Sequence, residues 1–138
     1  MASTEKNKTI VREFIEGLRA DLSGIDAVCD PGLVAHLPGN PAPADRDGFK
    51  GFAALLYSAF PDLAHTVEDQ IAEGDRVVSR VTVCGTQKGA LPFLPPTNKA
   101  VSFTDIIIVR LEKDRVVELW AQFDVLTLLA QGGMAPRS

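Results

Sequence analysis

The architecture of this chain is best predicted from the stretch of residues 101–124, which is Val101-Ser-Phe-Thr-Asp-Ile-Ile-Ile-Val-Arg-Leu-Glu-Lys-Asp-Arg-Val-Val-Glu-Leu-Trp-Ala-Gln-Phe-Asp124. Two runs within it, 101–111 and 116–123, are rich in Val, Ile and other residues that favour strands. A short link through Lys113 and Asp114 joins them. Because so short a link cannot cross over a sheet, the two runs are expected to be antiparallel neighbours. The stretch therefore predicts a β-hairpin.

Amphipathic and β-rich segments make up most of the remaining chain. Apolar side chains recur at helical spacing in 4–19 and 45–60, which predicts two long helices. Further helices are predicted over residues 25–28 and 125–131, and further strands over 33–37, 63–72 and 76–86. The proline-rich segment 88–99 is expected to be a long loop at the rim of a site. Helices followed by an antiparallel sheet form an α+β pattern, so we expect helices across one sheet face and a pocket between the layers.

The composition indicates one domain spanning residues 1–138. The chain has 138 residues, of which 46% are hydrophobic, enough for one core and too few for two. Its net charge of -4 lacks the basic excess that drives binding to nucleic acid. No apolar run approaches the roughly 18 residues of a membrane span, and the N-terminus lacks a secretion signal, so we expect a cytoplasmic protein. Cys29 and Cys84 are isolated in sequence, which favours reduced thiols.

Several motifs of known chemistry are missing from the sequence. It has no Gly-rich phosphate loop, no Gly-x-Ser-x-Gly nucleophile elbow, no His-Glu-x-x-His and no Cys-x-x-Cys. The two histidines, His36 and His65, are too far apart in sequence to indicate a His-rich metal site. We therefore expect no metal, and the candidates for catalysis are a few acids and a histidine in apolar surroundings.

Asp105 is the most informative candidate, because it interrupts an apolar strand where an acid is costly unless it is partnered or solvated. If the turn centres between Lys113 and Asp114, facing residues have numbers that add to 227. The facing pairs on one sheet face are then Asp105 with Gln122, Phe103 with Asp124, and Ile107 with Trp120. Asp105 and Asp124 become diagonal neighbours about 7–8 Å apart. Burial beside a like charge raises the pKa of a carboxyl, which suits a general acid or base.

Each candidate also has a purely structural interpretation. Asp124 can cap the last helix, a role compatible with catalysis. Asp105 can be solvated at a sheet margin or bonded to Arg80 or Arg110, and His65 is expected to be exposed. The remaining candidates can be strand-end or core residues: His36, Trp120, Phe14, Phe49, Phe52 and Phe60.

Segments spread over almost the full length carry a resemblance to a known family. They are residues 7–14, 33–36, 59–63, 66–69, 73–77, 85–89, 94–97, 117–124 and 128–131. In this order and spacing they resemble the SnoaL-like polyketide cyclases, or ester cyclases, of the nuclear-transport-factor-2-like superfamily. The resemblance implies a cone-shaped, bent antiparallel sheet wrapped by helices (a cystatin-like α+β barrel). It also implies an apolar pocket, frequent homodimers and cofactor-free acid/base catalysis.

The resemblance also implies roles for individual residues. Asp124 matches the aspartate at the end of the last strand that removes a proton from a carbon activated by carbonyls and so starts an intramolecular aldol closure. His36 matches a histidine at the end of the first short strand. Gln87 stands where many relatives carry histidine in a Gly-Thr-His segment, which puts a proton-transfer role at this position in doubt.

The leading functional prediction is therefore a polyketide cyclase-like enzyme that acts on a small apolar or polyketide-like substrate. Asp124 is the expected base, and His36 or Asp105 is expected to protonate or bind the carbonyl oxygen. The expected substrate-binding residues are Trp120, Gln122, Phe103, Phe52, Phe14 and Gln87. The alternatives are an epoxide hydrolase, a ketosteroid-isomerase-like isomerase, and a non-catalytic binding or dimerisation protein.

A homodimer is predicted from the face opposite the pocket. Under the same strand register, that face carries a set of apolar residues, namely Val117, Leu119, Ala121, Phe123, Ile106 and Ile108. Such a patch is larger than soluble monomers usually expose, and pairing two copies about a twofold axis would cover it.

Overall fold

The computed structural model describes residues 3–91 and 95–131. The helices are α1 (Thr4–Glu16), α2 (Ser23–Val28), α3 (Arg46–Ala59) and α4 (Val125–Gln131). The strands are β1 (Cys29–His36), β2 (Ala64–Glu73), β3 (Arg76–Thr86), β4 (Ala100–Glu112) and β5 (Arg115–Phe123). The strands form one curved, open sheet in the order β1-β5-β4-β3-β2, which confirms the α+β prediction.

Two elements differ from their predicted bounds for identifiable reasons. The first helix ends at Glu16 rather than at residue 19, because the N–H of Leu18 turns to the carbonyl of Ile15 at 3.3 Å, while the N–H of Gly17 makes the last regular helical hydrogen bond, to the Glu13 carbonyl at 2.9 Å. A Cβ at Gly17 would lie 2.6 Å from that oxygen, so only glycine fits there. The first strand starts at Cys29 and includes Pro31, which is tolerated because this strand lies at the sheet edge. It also pairs parallel to β5, whereas the other pairs are antiparallel.

Helix starts follow side-chain caps that satisfy free backbone N–H groups. The Ser3 hydroxyl accepts from the N–H of Lys6 at 3.3 Å. The Asp45 carboxylate accepts from the N–H of Gly48 at 2.8 Å and fixes the start of α3. The two long helices therefore begin where the sequence predicts them.

The strand register contradicts the predicted pairing of β4 with β5. Next to the turn, Leu111 pairs with Val116, as predicted, but Arg110 pairs with Glu118. Val117 is thus an extra residue, a β-bulge, and beyond it the facing numbers add to 228 rather than 227. An extra residue reverses which side chains share a face.

Asp105 consequently faces Phe123, and the prediction that it faces Gln122 is wrong. Trp120 faces Ile108, not Ile107, and lies on the opposite side of the sheet from Asp105. We name the side that carries Asp105 the inner face, and the side that carries Trp120 the outer face. The predicted dimer face is corrected in the same way: Leu119, Ala121 and Phe123 lie on the inner face, while Ile106 and Ile108 lie on the outer face.

The inner face forms the core together with the helices. Every second residue of β4 is buried there, and this set is Val101, Phe103, Asp105, Ile107, Val109 and Leu111. Helix α1 contributes Val11 and Ile15, both completely buried. Two of its charged side chains also hold β2, since Glu16 accepts from the N–H of Val67 at 2.9 Å and Arg12 donates to its carbonyl at 3.2 Å. Helix and sheet are thereby fixed on either side of a cavity.

Candidate functional site

A cavity of about 60 Å³, partly open to solvent, lies between the inner face and helices α1 and α3. Its walls are mainly apolar and include Phe14 and Phe52, two of the predicted substrate-binding residues. Three polar side chains among the described residues also line it: Tyr57, His65 and Asp105. Polar groups in an apolar cavity are the usual sign of a binding or catalytic site, which makes this trio the candidate site.

Asp105 enters the cavity from the middle of β4. The residue is 9% exposed, and its Oδ1 has no hydrogen-bond partner among the described residues. Burial raises the pKa of Asp105 to about 6, and a hydrogen bond from the backbone of Gln122 offsets part of that rise. Such a carboxyl is ionised at neutral pH yet basic enough to take a proton. The predicted pocket position of Asp105 is thus observed, although its neighbours are not those predicted.

His65 lies two strands away from Asp105, on β2, where it faces Val83 of β3. The prediction of an exposed His65 is wrong, because the inner face of β2 turns its side chain into the cavity. Its Nδ1 has no hydrogen-bond partner among the described residues. Burial lowers the pKa of His65 to about 4, so the ring is neutral at neutral pH.

Tyr57, the third polar residue, lies on α3 and was not singled out from the sequence. It is 8% exposed, and its hydroxyl oxygen has no partner in the part of the chain that the structure describes. Burial raises the pKa of Tyr57, which keeps the hydroxyl protonated. A sequence signal was available, because Phe49, Ala53 and Tyr57 are spaced four residues apart and share one helix face.

Asp124, the predicted base, is exposed and is not among the residues that line the cavity. Its Oδ1 accepts from the N–H of Thr127 at 3.0 Å and its Oδ2 from the Thr127 hydroxyl at 2.6 Å. These hydrogen bonds, from the hydroxyl first and the backbone second, lower the pKa of Asp124. The structural interpretation of Asp124 as the cap of the last helix is therefore observed.

His36 and Trp120 lie together on the outer face instead of beside Asp105. Their rings stack with centroids 5.1 Å apart and planes only 7° from parallel, and the Arg76 guanidinium lies 5.2 Å from the Trp120 ring centroid. His36 Nε2 is 2.9 Å from Glu118 Oε2, and Arg110 Nε donates to Glu118 Oε1 at 3.2 Å. Gln122, on the same face, is exposed. The expectation that these residues wall the Asp105 pocket is wrong.

Gln87 is completely buried within the loop that follows β3. Its amide nitrogen donates to the carbonyls of Gly89 at 3.1 Å and Pro95 at 3.0 Å. Its amide oxygen accepts from the Thr97 hydroxyl at 3.1 Å. Gln87 thus ties the loop together, and it is not among the cavity-lining residues.

Phe103 is the remaining predicted binding residue. It is buried on the inner face, where its ring centroid lies 5.6 Å from that of Phe123. Phe123 in turn lies 6.5 Å from Phe52, a residue of the cavity wall. Phe103 therefore packs behind the cavity wall, next to Phe123, and does not line the cavity itself.

Two further features bear on the predicted metal and membrane partners. Among residues 3–91 and 95–131, no group of three or more His, Cys, Asp or Glu side chains could hold a metal ion. Over the same ranges, no helix has both the length and the apolar character needed to cross a membrane.

Solved structures with the same architecture cover nearly the whole chain. AclR, a candidate hydroxylase from Streptomyces galilaeus, is 30% identical with a TM-score of 0.85, over 97% of this chain and 100% of that one. A candidate SnoaL-like polyketide cyclase from Jannaschia sp. CCS1 is 28% identical with a TM-score of 0.83, over 99% of each chain. IdmH, a candidate polyketide cyclase from Streptomyces antibioticus, is 30% identical with a TM-score of 0.79, over 96% of this chain and 99% of that one.

A family comparison agrees with these structures. A comparison with curated protein sequences finds no match. The family model described as SnoaL-like polyketide cyclase, in contrast, matches residues 8–132. With both the fold and the sequence pattern in place over nearly its full length, the chain belongs to the SnoaL-like polyketide cyclase family.

Proposed function

We propose that this protein closes a ring in a small polyketide-like substrate by enolate chemistry, without a cofactor, and that Asp105 is its base. The observation that carries this proposal is the carboxyl of Asp105, buried in an apolar cavity with a free oxygen and a pKa of about 6. A carboxylate with such a pKa is a stronger base than an exposed one, and it remains ionised at neutral pH.

The reaction begins when ionised Asp105 removes a proton from a carbon beside a carbonyl group. The electron pair of the C–H bond passes into the carbonyl and gives an enolate, while Asp105 becomes protonated. The enolate carbon attacks a second carbonyl carbon of the same molecule, which forms the C–C bond of the ring and leaves negative charge on oxygen. Asp105 returns its proton to that oxygen, so the product is an alcohol and the carboxylate is restored.

Asp105 is proposed in preference to Asp124 because their surroundings differ. Both oxygens of Asp124 accept hydrogen bonds from Thr127, and the lowered pKa makes this carboxylate a weak base. Its exposure also leaves any intermediate open to water. The catalytic role expected for Asp124 from the family resemblance nevertheless stays a prediction, and the two aspartates are easily compared.

The test measures exchange of substrate C–H for deuterium in D₂O by NMR, with linear 1,3-diketones and 2-tetralone as probes. We expect the protein to accelerate exchange of at least one probe over buffer. Asp105→Asn should remove that acceleration, since an amide does not accept a proton at neutral pH, and Asp124→Asn should retain it. Exchange that survives in Asp105→Asn and disappears in Asp124→Asn would assign the base to Asp124. No acceleration with any probe would favour a binding protein.

The candidate hydroxylase AclR, 30% identical, supports a second reaction class. A hydroxylase that starts from an enolate needs the same base, but its enolate reacts with dioxygen instead of with a second carbonyl group. Dioxygen consumption by the wild-type protein during the exchange assay, measured with an oxygen electrode, would favour this class. Ring closure without dioxygen uptake would favour the cyclase.

We further propose that the protein is a homodimer built on the outer face. Apolar side chains are exposed there, and Ile71 is 73%, Ile106 38% and Val34 38% exposed. Helices α1 and α3 pack on the inner face and leave this face uncovered, so a second copy would remove the patch from water. A cytoplasmic location is proposed as well, because Cys29 and Cys84 are both free thiols.

A further inference from the structure

The proposed proton transfer leaves two polar atoms of the cavity without a role. They are the hydroxyl oxygen of Tyr57 and Nδ1 of His65, both buried and without a hydrogen-bond partner among the described residues. We propose that Tyr57 and His65 together bind the carbonyl oxygen of the substrate and stabilise the negative charge that this oxygen acquires in the enolate. The inference rests on the proposed function, because it assigns the oxygen-binding groups of the same cavity.

Burial of these atoms is the first argument. A buried polar group that lacks a partner costs about 1–3 kcal/mol, and most buried polar atoms in proteins are therefore paired. Tyr57, His65 and Asp105 each carry such an atom, and all three line one cavity that is otherwise mainly apolar. A ligand with one carbonyl oxygen can accept from Tyr57 and His65 at once, while an acidic C–H group of the same ligand lies against the Asp105 oxygen.

The spacing within the sheet is the second argument. His65 on β2 and Asp105 on β4 are separated by β3, since His65 faces Val83 and Asp105 faces Val81. Two strand spacings and an offset of two residues along the strands place their Cα atoms roughly 12 Å apart. A substrate that contacts both groups therefore has to extend from one side of the cavity to the other. The carbonyl group of the substrate can thus point to one side of the cavity while its acidic C–H points to Asp105.

The connection between α3 and β2 holds Tyr57 and His65 on that side. Phe60, in this connection, is completely buried, and its carbonyl accepts from the N–H of Leu63 at 3.0 Å. Gly85 of β3 packs against it, and a Cβ there would lie 3.1 Å from Cβ of Phe60. The carbonyl of Ala59 also accepts from the N–H groups of two loop residues. Donors fixed before the reaction stabilise developing charge without a reorganisation cost.

The protonation states of both groups suit a hydrogen-bond donor. Burial raises the pKa of Tyr57, so its hydroxyl keeps its proton at neutral pH. Burial lowers the pKa of His65 to about 4, so its ring is neutral and donates through the nitrogen that carries the hydrogen. A neutral donor stabilises the enolate without giving it a proton. The enolate therefore remains available for attack on the second carbonyl.

The experiment measures binding of 4-nitrophenolate, a planar anion whose oxygen stands in for the enolate oxygen, and of 4-nitrotoluene, a neutral probe of similar shape. The parent is Asp105→Asn, which removes the carboxylate that would repel an anion. To this parent we add Tyr57→Phe, which keeps the ring and the packing, or His65→Gln, with His65→Phe as a second variant that preserves bulk. Leu111→Met, a volume-conserving change of a buried residue that does not line the cavity, is the matched control.

We expect each of the Tyr57 and His65 variants to weaken 4-nitrophenolate binding by about tenfold or more, because hydrogen bonds to charged groups are the strong ones. Binding of 4-nitrotoluene to these variants should change less than threefold, and so should binding of either probe to the Leu111→Met control. The inference is overturned if the parent does not bind 4-nitrophenolate, or if the Tyr57 and His65 variants bind it as well as the parent does. It is also overturned if these variants lose affinity for 4-nitrophenolate and 4-nitrotoluene to the same extent. Failure of the proposed function appears separately, as deuterium exchange that survives Asp105→Asn.

Discussion

Replacing Asp105 with Asn should stabilise the folded protein at neutral pH, although the same change removes the proposed base. In the folded protein the pKa of Asp105 is raised to about 6 from the ordinary 3.8, and burial is the main cause. Ionised Asp105 is therefore less favourable inside the protein than in the unfolded chain. Asn has the same shape and carries no charge, so the variant does not pay this cost.

The size of the effect follows from the two pKa values. The difference between about 6 and 3.8 corresponds to about 3 kcal/mol in the free energy of unfolding. Below pH 3.8, Asp105 is protonated in both states and the penalty is absent. As pH rises through 3.8 to about 6, the unfolded chain releases its proton first, so wild-type stability falls. Above pH 6 the full penalty applies.

The assay is urea unfolding of wild-type protein and Asp105→Asn at several pH values from 4 to 7.5. The stability advantage of Asp105→Asn should grow with pH and approach about 3 kcal/mol near pH 7, less any cost of the new amide hydrogens. Asp124→Asn is the control, since the pKa of Asp124 is lowered and its contribution is lost as pH falls, the opposite direction. A variant that is less stable than wild type at pH 7, or a stability difference that does not change with pH, would show that ionised Asp105 does not destabilise the folded protein. Gain of stability with loss of activity is the signature of a group retained for function.

Two further predictions concern the outer face and the loop. Ile106→Lys should convert the dimer into a monomer of 14.8 kDa, as measured by light scattering at micromolar concentration. A variant that keeps the dimer mass, or a wild-type protein of 14.8 kDa, would contradict the proposed interface. Gln87→Ala should lower the free energy of unfolding by about 3 kcal/mol, because it leaves buried partners such as the Gly89 carbonyl without a hydrogen bond. A loss below about 0.5 kcal/mol in urea unfolding would show that other contacts hold the loop.

Much of the fold was predictable because it depends on local patterns. Apolar side chains at helical spacing indicated α1 and α3, and the caps at Ser3 and Asp45 mark their starts in the sequence. The link at Lys113 and Asp114 indicated the β4–β5 hairpin. These signals involve residues near one another in the chain, so no tertiary contact is needed to interpret them.

The prediction of which β5 side chains share a face with Asp105 was wrong, because one extra residue in β5 changes the strand register. The sequence Val116-Val117 offers two residues of the same type, and either of them can be the bulge. The register next to the turn is the predicted one, and the extra residue Val117 reverses all that follows. A signal existed, since pairing the polar residues Arg110 and Glu118 on the outer face requires the observed register.

The candidate site required the tertiary structure for a different reason. The pattern of amino acids alone identifies Asp105 as an acid in an apolar strand, and hence as a candidate. It did not associate Asp105 with Tyr57 or His65, which lie on another helix and another strand. Only the packing of α3 over the inner face brings the three side chains to one cavity. Contacts between distant segments depend on strand register and helix packing, and a single bulge changes both without a mark in composition or periodicity.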